Sequence, residues 1–246
     1  MKKPSWKLLL GVILIVSSAV LTLIHFVIFK DAHHIVIFLL ADIAFLPIEV
    51  LLVTIIIHRL LSEREKRARL EKMNMVIGVF FSEVGIELLA SISRSDPGLD
   101  GIRKELMVTG VWTESEFLRV DQCLQDYEYG VDIGRADLRE LKRLLVVKVD
   151  FLLRLLENPN LLEHESFTEL LWAVFHLADE LTRRENLERV PDTDLTHLGN
   201  DVKRVYALIG RQWFDYMKHM KNRYPYLFHL AVRTNPFDQT ASVIVR

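Results

Sequence analysis

Two unbroken apolar runs open the chain, and beyond them the apolar positions become periodic. Residues 8–29 (LLLGVILIVSSAVLTLIHFVIF) hold no titratable side chain except His25, and residues 35–57 hold only Asp42 and Glu49. At about 1.5 Å of rise per residue, a helix over either run covers the ~30 Å hydrocarbon layer of a bilayer, so each predicts a transmembrane helix. The short connection KDAHH makes the pair an antiparallel hairpin. A cleaved signal peptide is the rival reading of the first run, because Lys2, Lys3 and Lys7 form a basic start and Ser17-Ser18-Ala19 resembles a cleavage site. The apolar residues continue straight through that point, which favours a span.

From residue 58 the pattern is helical with period 3.6. SEREKRARLEK contains good helix formers and no breaker, and Met73, Val76, Ile77, Phe80, Val84 and Leu88 then recur on one face. This predicts a juxtamembrane stalk helix over 58–95, ended by Asp96-Pro97-Gly98. Gly78 and Gly85, two turns apart, leave room for a second helix to approach. Further on, Thr113 and Glu116 form a capping box at the head of a helix over about 114–128. A longer helix is expected over 135–157, closed by Asn158-Pro159-Asn160. Another should end near Glu185, and a last one should run from about Asp194 to Asn222, with a continuation interrupted by Pro225 and stopped at Asn235-Pro236. Strand-like alternation is absent. The expected fold is all-α: a transmembrane hairpin over 1–57, the stalk over 58–95, and a cytoplasmic helical bundle with a C-terminal tail over 96–246.

Charge adds an orientation. Lys2, Lys3 and Lys7 precede the first span, and Arg59, Arg64, Lys66, Arg67, Arg69 and Lys72 follow the second, whereas the connection has one Lys. Both ends are therefore expected on the cytoplasmic side of the cell membrane. The region after residue 57 is slightly acidic overall, which argues against a nucleic-acid partner. Cys123 is the single cysteine, so no disulfide framework or cysteine metal site is expected. No phosphate-cradling glycine loop, nucleophile elbow or zinc-protease motif occurs, and neither an enzyme nor a cofactor is expected.

The carboxylates of the second run carry the candidate chemistry. Asp42 and Glu49 lie nearly two helical turns apart, on about the same face and roughly 10 Å apart along the axis. Pro47 between them removes one backbone hydrogen bond and frees the Ile43 carbonyl. Folding the hairpin brings Asp42 level with Thr22 and sets Ser17 and Ser18 opposite Pro47, with His25 a turn from Thr22. The first span offers hydroxyls and an imidazole but no Lys or Arg. An ionised carboxylate facing acyl chains costs several kcal/mol, so the stripe is expected to face protein or water.

Two helices cannot enclose it, which predicts a homo-oligomer in membrane lipid with the acids around a common axis. The functional expectation is a cation-conducting or proton-linked pathway gated by the bundle, with an inorganic cation as its ligand. The competing expectation is a membrane-anchored scaffold that recruits a cytoplasmic protein without transport. Asp42 and Glu49 would then be protonated and hydrogen-bonded at a helix interface. The potassium-filter signature is absent, which excludes a selective pore of that design.

Other groups read as structural. His176 with Glu180, and His197 with Asp201, are i, i+4 pairs on neighbouring helices, a spacing that can build a metal site in a bundle. The denser Glu-x-x-His pattern of carboxylate-bridged helical enzymes is missing, so capping, ion pairing or core hydrogen bonding is expected and no metal. Glu83 and Glu87 read as a solvated face. Trp213, Phe214, Tyr216, Tyr224, Tyr226 and Phe228 read as core aromatics.

Overall fold

A computed structural model describes residues 6–159, 161 and 164–244. Lys2, Lys3 and Asn160, which entered the sequence reading, lie outside the described residues. The described residues are all-helical, with no strand among them, and divide into two units, residues 1–65 and 66–246.

The first unit contains α1 (Trp6–Phe29) and the first part of α2 (Ala32–Phe80). Both are long and apolar enough to cross a membrane by length and composition. Nearly all their large side chains are exposed, from Leu9 and Ile13 to Ile56 and Ile57. The connection between them is shorter than the five residues expected, because only Lys30 and Asp31 lie outside helix. Lys30 adopts the left-handed conformation, φ 50°, with its N–H donating to the Phe26 carbonyl at 2.8 Å, so α1 ends in a tight cap. Asp31 then accepts the backbone N–H of His34 at 3.1 Å, which starts α2 three residues before the apolar run. Pro47 lies inside α2 without ending it.

The second unit opens with the last turns of α2. Met73, Ile77 and Phe80 are buried there, and Val76 is half-buried. A π-helical segment, Phe81–Gly85, follows, and α3 (Ile86–Ser93) continues to the Asp96-Pro97-Gly98 turn. The wider π turn, closed by the Ile86 N–H on the Phe81 carbonyl, shifts the helical phase by one residue. As a result both Phe80 and Phe81 reach the core along with Val84 and Leu88. Phe80 packs edge-on against Phe167 at 5.5 Å, and Phe81 stacks on Tyr216 at 5.1 Å. Gly78 admits the Tyr216 ring: a Cβ there would sit 3.2 Å from the phenolic oxygen.

After the short α4 (Leu99–Ile102), α5 (Glu114–Asp126) starts from the expected capping box, in which the Glu116 carboxylate accepts from the Thr113 backbone N–H and hydroxyl. The single helix expected over 135–157 is two, α6 (Leu138–Val146) and α7 (Val149–Leu156). Three β-branched valines, Val146, Val147 and Val149, surround Lys148 and have weak helix preference. The chain turns at Val147-Lys148, Lys148 Nζ reaches Glu83 at 2.9 Å, and both helices pack on α8 (Glu165–Arg183). Glu83 is thus paired rather than merely solvated.

The long α9 (Asp192–Arg223) is the centre of the unit, packed against α8, α3, α5, the π segment and α10 (Pro225–Arg233). Pro225 opens α10, where its missing N–H costs no hydrogen bond. Trp213, Phe214 and Phe228 are core as expected, whereas Tyr226 is exposed. Pairs across the α8–α9 contact run in opposite directions, Ser166 with Gln212, His176 with Asp201 and Glu180 with His197, so the two helices are antiparallel.

Candidate functional site

The polar groups of the first unit sit on helices whose Leu, Ile, Val and Ala content supplies no other titratable function in mid-run. Asp42 lines a cleft of about 430 Å³ together with Leu21, Thr22 and His25 of α1 and Ile35, Phe38 and Leu39 of α2. His25 is half-buried, and its ring stacks on that of His34, with centroids 5.9 Å apart and planes 3° from parallel. Phe29 packs against His25 at 4.8 Å and Phe38 against His34 at 4.6 Å. The cleft therefore combines a carboxyl, a hydroxyl and an imidazole between apolar walls. The Thr22 hydroxyl donates to the Ser18 carbonyl at 3.0 Å.

Glu49, Ser17, Ser18 and Pro47 lie outside this cleft and are exposed along their helices. Of the seven residues singled out in the two runs, the structure thus brings Asp42, Thr22 and His25 together. His34 was not among them. Its signal is its place one residue before the second apolar run, across the short connection from His25 in the last turns of the first.

A second cluster forms between α8 and α9, where the sequence offered two separate i, i+4 pairs. His176 and Glu180 project from α8, and His197 and Asp201 from α9. His176 Nε2 lies 3.5 Å from Asp201 Oδ2 and 4.0 Å from Glu180 Oε1. His197 Nε2 lies 3.3 Å from Asp201 Oδ2 and 3.6 Å from Glu180 Oε2. The ion pairing expected of these groups is present, and it joins the two helices: they are antiparallel and in register, so the two i, i+4 pairs face one another.

Asp201 is 4% exposed, and its Oδ2 has no hydrogen-bond partner. Arg184 flanks the cluster, gripping Asp194 through Nε and Nη2 at 2.7 and 2.6 Å and reaching Glu180 Oε2 at 2.6 Å. Its hydrogen bond holds the Glu180 carboxyl below the usual carboxylate range, outweighing burial.

A third polar group is a pin for the turn after α3. Tyr127 donates to Asp96 Oδ2 at 2.6 Å, while Oδ1 accepts the Gly98 N–H at 2.9 Å. Tyr127 packs edge-on to Tyr129, and Tyr129 to Tyr206, at 5.0 and 4.9 Å. Burial raises all three phenols above the ordinary tyrosine range and keeps them protonated, which suits hydrogen-bond donation and packing.

Comparison with known proteins follows the same two-part division. The model of the MJ1433 N-terminal helical domain matches residues 2–61, and that of the C-terminal helical domain of Uncharacterized protein MJ1433 matches residues 69–233. Uncharacterized protein MJ1433 from Methanocaldococcus jannaschii is 48% identical over 244 residues, covering 99% of this chain and 98% of its own. No solved structure matches. With both helical domains matched and 48% identity over nearly the full length of that relative, the chain belongs to the MJ1433 family.

Proposed function

We propose that the chain is an oligomeric protein of the cytoplasmic membrane, with both termini on the cytoplasmic side, whose first unit spans the bilayer as a helical hairpin and carries a cation-conducting or proton-linked pathway past Asp42 and Glu49. The second unit acts as its regulator. The observation that carries the reading is the Asp42 cleft: a carboxyl beside Thr22 and His25, in two apolar runs, residues 8–29 and 35–57, that offer no Lys or Arg to neutralise it. An acid in that setting needs a proton, a cation, water or a neighbouring copy's polar group. The exposed apolar faces of α1 and α2 supply the surface for lipid and for sister copies. Rings of carboxyl groups around an axis are one established way of building a cation path.

The test is flux in proteoliposomes, with the oligomeric state measured in detergent by light scattering. Native protein should run as a multimer and pass protons or monovalent cations. Asp42→Asn with Glu49→Gln should lower flux by about tenfold or more, equivalent to ~1.4 kcal/mol on the rate-limiting barrier. A monomer, or flux unchanged by the double substitution, would sink the pathway.

The anchored-scaffold reading draws support from Trp172 on α8, an aromatic side chain 57% exposed on the second unit. A stable soluble partner lost on Trp172→Ala, together with no flux from native protein, selects it.

A further inference from the structure

The four side chains between α8 and α9 face one another at distances that suit a shared ion better than mutual hydrogen bonding. The imidazole-to-carboxylate separations are 3.3, 3.5, 3.6 and 4.0 Å. Hydrogen bonds between such groups fall at about 2.7–3.2 Å. Four ligands bound tetrahedrally at about 2.0–2.2 Å stand roughly 3.3–3.6 Å apart, because a tetrahedron's edge is about 1.6 times its centre-to-corner distance. One ligand atom each from His176, Glu180 and His197 lies within 4.8 Å of the others.

Asp201 supplies the independent observation. Its Oδ2 is buried, turned toward both imidazole Nε2 atoms, and without a hydrogen-bond partner. A buried carboxylate oxygen left in that state is unfavourable unless a cation meets it. The nearby arginines do not fill this role. Arg204 approaches the other oxygen, Oδ1, at 3.6 Å, and Arg184 is held in a fork by Asp194 and meets Glu180 at Oε2 and the backbone carbonyl. Those contacts orient the two carboxylates, as outer-shell partners of metal ligands do: Asp201 Oδ2 faces both imidazoles, Glu180 Oε1 faces His176, and Glu180 Oε2 lies between Arg184 and His197.

We propose that His176, Glu180, His197 and Asp201 form a binding site for a divalent transition-metal ion that clamps α8 to α9. Two imidazole nitrogens disfavour magnesium and calcium, which take oxygen ligands, and a compact set of two nitrogens and two carboxylate oxygens fits zinc. With four protein ligands the coordination sphere is closed, so the ion is structural rather than catalytic. The His176 and His197 side chains are 46% and 50% exposed, which gives the ion a path from solvent. The proposal stands apart from the pathway reading, since no group of the first unit takes part.

The experiment uses full-length protein in detergent, stripped with a chelator and titrated with Zn²⁺ against a chromophoric competitor, with bound metal counted by mass spectrometry. One ion per chain is expected, with thermal unfolding moved to higher temperature by zinc. The double variant His176→Gln with His197→Gln should lose affinity by at least the ~100-fold that removing an outer-shell partner alone reaches. Asp201→Asn should weaken binding in the same direction, and both variants should lose the zinc-dependent thermal shift. Cobalt-loaded native protein should show the intense visible absorption of a tetrahedral site, a reading that needs no variant. Native protein that binds zinc no better than the double variant, or a cobalt spectrum of octahedral character, overturns the site.

Discussion

At the scale of single residues, burial decides behaviour that spacing leaves open. His219 on α9 is half-buried, and burial, helped by Arg223 and opposed by Glu71, pushes its imidazole below the ordinary histidine value. The unfolded chain therefore takes up this proton before the folded one does. The stability involved is fully present above about pH 6.5 and is lost as pH falls through the lowered folded value. Denaturant unfolding at stepped pH should show native protein losing more stability than His219→Gln between about pH 7 and 5. Parallel curves would contradict the assignment. Asp42 and Glu49 were legible from sequence because a carboxylate in an apolar run needs no structure to stand out. Asp201 was legible only as a spacing, since its burial depends on how α9 lies against α8.

At the scale of elements, periodicity located the helices and missed two features that arise from packing. The phase shift at Phe81–Gly85 is invisible to a search for 3.6-residue repeats, because it breaks the repeat so that adjacent phenylalanines can both be buried. Gly85 makes the shift possible: a Cβ there would lie 2.5 Å from the Phe81 ring and 2.9 Å from that of Phe80, both locked in the core. Gly85→Ala should destabilise the protein by about 1–3 kcal/mol in denaturant unfolding, the usual result of overpacking. Gly101→Ala, where a Cβ meets nothing within 4 Å, should be neutral or stabilise by up to ~1 kcal/mol. Equal effects at the two sites would show that the rings yield. The turn between α6 and α7 has a similar origin, since the valines around Lys148 weaken the helix and contacts with α8 and Glu83 favour the bend.

At the scale of the whole molecule, the chain divides into an apolar helical unit and a helical unit with its own core, and the two family matches fall on either side of the same boundary. The proposed membrane topology has a direct test. In a Cys123→Ala background, Asp31→Cys should react with a membrane-impermeant thiol reagent added to intact cells, and Glu63→Cys should react only after lysis. Labelling at both positions in intact cells, or at neither before lysis, would contradict a hairpin with cytoplasmic ends. The second unit's helix order was legible because its breakers, Asp96-Pro97-Gly98, Pro159, Pro191 and Pro225, all stand at or beside helix ends.

Sequence by itself determined the all-helical class, the two apolar runs, the carboxylates within them and the helix order, because each depends on local periodicity, capping and the reach of a few residues along one backbone. Tertiary structure alone decided which polar groups meet. Thr22, His25 and Asp42 share a cleft, and His176, Glu180 and His197 gather with Asp201 beside both imidazoles, because packing joins residues whose separation along the chain carries no information about their separation in space.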